Sequence, residues 1–114
     1  MNPADDHPRA PIFTDTYTLC EWLLKHLNGQ TDSLARHLCD NALSLLEQIT
    51  LAIRNHDREE RLDLADERLI MLRMQLRLAV DVDLLSERRG LHALGLADSI
   101  GRQLGGWQRS LHPA

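Results

Sequence analysis

The sequence contains little cysteine, almost no lysine and no long hydrophobic run. Its two cysteines, Cys20 and Cys39, form neither a CxxC pair nor part of a metal-ligand cluster, which excludes a disulfide framework and a zinc knuckle. We expect both to be small core residues. No segment approaches the roughly 20 apolar residues of a membrane span, and the N-terminus has no apolar signal-peptide core. We therefore expect a cytoplasmic protein with no membrane partner.

Signatures of catalysis and metal binding are also missing. The sequence has no Glu-x-x-His pair for a di-iron site, no GxxxxGK[ST] phosphate loop and no GxSxG nucleophile turn. Its histidines are dispersed, without the His-x-x-x-His spacing that would place two ligands on one helix face. The sequence therefore predicts a protein that is not an enzyme and that uses no cofactor, metal or small-molecule substrate.

The basic charge consists almost entirely of arginine. Lys25 is the single lysine among 13 basic residues, and 17 carboxylates give a net charge of −4. Nucleic acid would therefore have to bind at a local cluster rather than through a global field. Two candidate clusters flank predicted turns: Arg54, Arg58 and Arg61, and Arg88 with Arg89. Glutamates lie near both clusters, and they favour the alternative interpretation that these arginines are solvated side chains at helix ends.

Four helical patterns follow a proline-rich N-terminal stretch, and no segment alternates as a strand would. We predict a flexible tail over residues 1–12 and one domain over 13–111. The helices are expected to begin near Thr14, Asp32, Asp57 and Ser86 and to end near Asn28, Asn55, Asp83 and Leu111. Short connections between them predict an all-α, antiparallel up-down-up-down four-helix bundle.

The sequence also predicts how helix three begins and which face of helix one is buried. Asp57, with Glu60 three residues later, resembles a capping box at the start of helix three. Helix one is expected to turn one apolar face inward, formed by Tyr17, Cys20, Leu23, Leu24 and Leu27.

Helix three is apolar on two faces. One stripe faces the core and comprises Leu62, Ala65, Leu69, Leu72, Leu76, Ala79 and Val80. A second stripe lies almost opposite, where a monomeric bundle would meet water. It comprises Leu64, Met71, Leu78 and Val82, with Met74 at its edge. This pattern predicts self-association through helix three, and scattered surface side chains are the alternative.

Charged residues occupy one flank of this second stripe. Arg73, Arg77 and Asp81 follow one another at i,i+4 steps, after Asp63, Asp66 and Glu67 on the same flank. They form either a solvated ladder of ion pairs within the helix or, if the stripe is an interface, the charged pairs that fix its register.

Helix four carries a row of small residues at four-residue intervals. The row comprises Ala93, Ala97, Gly101 and Gly105. Glycine inside a helix costs roughly 1 kcal/mol relative to alanine, so this row must have a compensating use. We expect it to let a neighbouring helix approach closely.

The stretches LRMQLRLAVDVDLLS (72–86) and IGRQLGGWQRSL (100–111) resemble a family of small four-helix-bundle proteins. That family includes proteins encoded in intervening sequences of large-subunit ribosomal RNA genes and the accessory variability determinants (Avd) of diversity-generating retroelements. The resemblance extends over residues 13–111. The matching positions are Arg73, Arg77, Asp81, Leu84, Leu85, Gly101, Arg102, Leu104, Gly105, Gly106 and Trp107.

The resemblance implies both an assembly and a role. Avd-like proteins form cyclic homopentamers, which agrees with the second stripe on helix three. Retroelement members act as non-catalytic accessory proteins that bind a reverse transcriptase and RNA or DNA through basic surfaces. We therefore expect an oligomeric accessory protein of this type. The alternative is a structural or protein-interaction oligomer with no nucleic-acid role, whose arginines pair with neighbouring carboxylates.

Overall fold

The computed structural model describes residues 10–27 and 29–112, and within them the chain forms four α-helices and no strand. We number them α1 to α4. Their bounds are Pro11–Leu27, Ser33–Ile53, Arg58–Asp81 and Glu87–Leu111. The all-α prediction of four helices joined by short connections is confirmed.

The start of α1 differs from the prediction. The helix begins at Pro11 rather than beside Thr14, because proline is well suited to a first helical turn and Ile12 is buried against the core. Pro11 and Ile12 therefore belong to the helix, whereas the part of the predicted tail over residues 1–9 lies outside the described residues. Gly29, just beyond α1, has a φ of 83°, the left-handed conformation that commonly follows a helix.

Two of the four predicted N-caps are present, because Thr14 lies inside α1 and Asp57 does not cap α3. The carboxylate of Asp32 accepts from the Leu34 amide at 2.8 Å, and the hydroxyl of Ser86 accepts from the Arg89 amide at 3.2 Å. The capping box at Asp57 was wrong, since its side chain makes no capping hydrogen bond. Its φ of 47° places it in the left-handed region, whereas a capping side chain requires extended backbone.

Each helix packs against the helices before and after it in the chain, and α1 packs against α4 to close the bundle. The diagonal pairs α1 with α3 and α2 with α4 make no comparable contact within the described ranges. With connections of only a few residues, consecutive helices run antiparallel. The two turns beside α3 therefore lie at opposite ends of the bundle.

The core contains the predicted inner stripe of α3. Six of its seven residues are buried and Val80 is half-buried. On α1 the prediction was partly wrong, because Tyr17 and Leu24 are exposed. Each lies one residue, or 100° of rotation, past a buried neighbour, Thr16 and Leu23 respectively. The buried hydroxyl of Thr16 donates to the Ile12 carbonyl at 2.6 Å, which satisfies it inside the core.

Polar contacts join neighbouring helices at two levels. Between α2 and α3, the Asn41 amide donates to Oε1 of the buried Gln75 at 2.7 Å. Between α1 and α4, Asp15 accepts from Gln103 at 2.7 Å and from Ser99 at 3.2 Å. Because such bonds form only at one relative height of the helices, they help to fix the register of the bundle.

Within the described ranges, none of the four helices combines the length and apolar character that crossing a membrane would need.

Candidate oligomer and nucleic-acid surfaces

The outer surface of α3 is a continuous apolar face. Five large apolar side chains there are between 42% and 58% exposed: Ile70, Met71, Met74, Leu78 and Val82. We call this set the α3 face. The predicted second stripe contains four of these five and lacks Ile70, which lies 40° from Met74 on the side of the charged flank. Leu64, which the prediction included, is only half-buried and does not belong to the exposed set.

Two arginines, Arg73 and Arg77, border the α3 face on its charged flank, both on the same side of Met74 as Ile70. Nη2 of Arg73 is 2.7 Å from Oδ1 of Asp98 on α4, so this pair joins two helices. Arg77 is exposed and has no ion pair among the described residues. The ladder of ion pairs along α3 is therefore not formed. Ile70, Met74 and Leu78 line a shallow surface groove together with Arg73, Arg77 and Asp81.

The first candidate basic cluster is largely occupied by contacts within the chain. Nε of Arg58 donates to the Ala52 carbonyl at 2.8 Å, and its guanidinium lies 5.5 Å from the ring centroid of Trp107. Arg61 donates from Nη1 to Gln48 at 3.2 Å, and its buried Nε has no partner within the described structure. Arg58 thus satisfies carbonyls at the C-terminal end of α2, as basic side chains commonly do. Only Arg54 of this cluster is exposed.

The second candidate basic cluster is open to solvent. Arg88 and Arg89 are exposed in the first turn of α4, and their side chains make no hydrogen bond or ion pair with the other described residues. Cations at a helix N-terminus oppose the helix dipole, so these arginines do not serve the stability of α4. α3, with 24 residues, separates the two clusters by about 36 Å. One chain therefore does not bring them together.

The small-residue row of α4 differs along its length. Ala93 and Ala97 are fully buried. A Cβ at Gly101 would contact Leu69 at an ordinary 3.4 Å, whereas at Gly105 it would meet only Arg109 of the same helix. The predicted close approach at Gly105 is therefore absent, because no neighbouring helix reaches that position. It occurs instead at Gly90, where a Cβ would overlap Cγ2 of Val80 on α3.

A family model described as bAvd-like matches residues 15–111. The chain belongs to the bAvd-like family. This agrees with the resemblance of the 72–86 and 100–111 stretches, and with the four helices of the structure. The family consists of accessory, non-catalytic proteins. No curated protein and no solved structure matches the chain.

The cysteines of this bAvd-like chain are placed for packing. Cys20 is buried, and its thiol donates to the Ala42 carbonyl at 2.9 Å across the contact between α1 and α2. Burial, with a smaller effect of Cys39, raises the pKa of the Cys20 thiol to about 12. Burial and the nearby Asp40 also raise the pKa of Cys39. Both thiols are therefore protonated near neutral pH, the form that is neither nucleophile nor metal ligand.

Proposed function

We propose that this chain is a non-enzymatic homo-oligomeric accessory protein that acts in the cytoplasm and binds nucleic acid and a reverse transcriptase. The match to the bAvd-like family over residues 15–111 carries this proposal. The finer assembly we propose is a cyclic homopentamer built through the α3 face.

The exposed apolar area of α3 supports the oligomer. Contiguous apolar patches on monomers are usually small, and larger ones mark interaction sites. The double variant Met71→Glu/Leu78→Glu should therefore be monomeric by light scattering, near the 13.0 kDa of one chain, while the wild type has about five times that mass. An assembly that survives both changes would show that another face holds it together. A wild-type mass other than five chains would overturn the pentamer.

The exposed arginines support the nucleic-acid role. Arg88 and Arg89 do not stabilise the start of α4, because their positive charge opposes the helix dipole there. The arginine side chain is, however, well suited to multidentate contacts with phosphate. A ring also repeats each small cluster in every subunit, so that weak sites add through avidity. The net charge of −4 makes this local placement essential.

Gel shifts with single-stranded RNA and with duplex DNA test this role across a salt series. We expect binding at about 50 mM salt. On duplex DNA, the log–log salt slope of Arg88→Ala/Arg89→Ala should become shallower by nearly 2 for each subunit that contacts the DNA, about 0.9 per lost phosphate contact. Arg68→Ala, which removes an exposed arginine outside both clusters, is the matched control and should keep the wild-type slope. Absence of binding at about 50 mM salt would overturn the nucleic-acid role.

A protein-interaction oligomer with no nucleic-acid role is the second candidate. The observation that favours it is the engagement of Arg58, Arg61 and Arg73 by groups of the same chain. It predicts an oligomer that depends on the α3 face but produces no gel shift with either nucleic acid.

A further inference from the structure

A second exposed apolar surface lies where α1 meets α2. It consists of Tyr17, Leu24 and Leu43, which are 53%, 40% and 38% exposed, and we call it the α1–α2 patch. The hydrogen bond from Cys20 to the Ala42 carbonyl marks the contact between these two helices. Tyr17 lies three residues before Cys20 and Leu24 four residues after it, so both border that contact. Leu43 directly follows Ala42 at the same height of the bundle.

The α1–α2 patch and the α3 face lie on different sides of the molecule. α1 and α3 are diagonal in the bundle and make no direct contact within the described ranges. The α3 face points outward, away from the core and therefore away from α1. A single chain cannot cover one surface with the other, so any cover for either would come from another molecule.

The two surfaces differ in the charged residues that have no ion pair. Glu21 lies between Tyr17 and Leu24 on one stripe of α1, and its contact with Lys25 is a long, exposed one of 3.8 Å. On α2, the exposed Asp40 and Glu47 lie one turn before and after Leu43, and neither has an ion-pair partner within the described structure. Two carboxylates without an ion pair thus lie beside Leu43.

The α3 face, by contrast, is bordered by an arginine that has no ion pair. Arg73 is already paired with Asp98, whereas the exposed Arg77 has no ion pair within the described structure, and the exposed Asp81 lies one turn after it. Two α3 faces that met would leave the α1–α2 patch uncovered.

We propose that the α1–α2 patch of one copy packs against the α3 face of a second copy. This inference rests on the proposed homo-oligomer and identifies the opposite side of its interface. Because the two surfaces differ and lie on different sides, the contact is head-to-tail and each added copy presents a fresh surface to the next. Such a contact builds a ring or a filament, whereas a contact between two α3 faces would stop at a dimer.

Two single variants and their mixture test this arrangement. Leu43→Glu places a carboxylate in the α1–α2 patch, and Leu78→Glu places one in the α3 face. Each variant alone should therefore be monomeric by light scattering. Mixed in equal amounts, they should give a heterodimer of two chains, because each supplies the intact surface that the other lacks. Thr18→Glu, an exposed change on α1 outside the patch, should keep the wild-type mass. Circular dichroism would check that every variant is folded, and Tyr17→Glu can replace Leu43→Glu if that variant unfolds.

The outcomes separate this inference from the proposed oligomer. A monomeric wild type would overturn both. An oligomer that dissociates with Leu78→Glu and not with Leu43→Glu or Tyr17→Glu would overturn the head-to-tail contact alone. Two monomeric variants that form no heterodimer when mixed would also overturn it.

Discussion

Gly90 is the residue at which α3 and α4 approach most tightly among the described glycines. A Cβ there would overlap Cγ2 of Val80, whose short β-branched side chain has little freedom to move. Gly90→Ala should therefore destabilise the bundle by about 1 to 3 kcal/mol, the usual cost of overpacking, although alanine is the better helix former. Urea denaturation would measure this loss, and Val80→Ala should recover part of it in the double variant.

Gly95, on the same helix, is the matched control for Gly90. It is exposed and no atom lies within 4 Å of its Cβ position, so Gly95→Ala should stabilise the chain by about 0.5 to 1 kcal/mol through helix propensity alone. Equal effects of the two substitutions would contradict the close contact at Gly90.

At the scale of the helices, apolar periodicity predicted the buried face of α3 better than that of α1. The inner stripe of α3 is well defined because polar residues separate it from the second stripe. On α1, the buried Thr16 and the exposed Tyr17 and Leu24 reverse the usual preference of polar and apolar residues. Periodicity finds apolar positions but does not distinguish a core from an intermolecular surface. The hydrogen bonds of Arg58 and Arg61 could not be predicted from periodicity either, since their acceptors lie on α2.

The Asn41–Gln75 hydrogen bond gives a prediction about the pairing of α2 with α3. Asn41→Leu removes the donor and leaves the buried Gln75 oxygen without it, which should cost about 1 to 3 kcal/mol. Replacing both residues with leucine removes the unsatisfied group, so Asn41→Leu/Gln75→Leu should recover most of that loss. Urea denaturation of the two single variants and of the double variant would give the coupling energy between the residues. Losses that simply add would show that the pair is not coupled.

For the whole molecule, two apolar surfaces on different sides link stability to assembly. The proposed assembly would bury the α3 face and the α1–α2 patch in addition to the core of each chain. Folding and association then become linked, and the stability of each chain depends on protein concentration. In the proposed assembly, the outward placement of Tyr17, Leu24 and Met74 is no defect of packing, because other copies would bury these side chains.

This linkage predicts a melting temperature that rises with concentration. A tenfold increase in wild-type protein should add about 1 kcal/mol per chain, since tenfold in an equilibrium constant is about 1.4 kcal/mol, and raise Tm by several degrees. Leu78→Glu should melt at a lower temperature that does not depend on concentration, because its chains unfold as monomers. Thr18→Glu should follow the wild type. Differential scanning calorimetry at three concentrations would measure these shifts. A wild-type Tm that stays constant across them would mean that the apolar surfaces add nothing to stability through assembly.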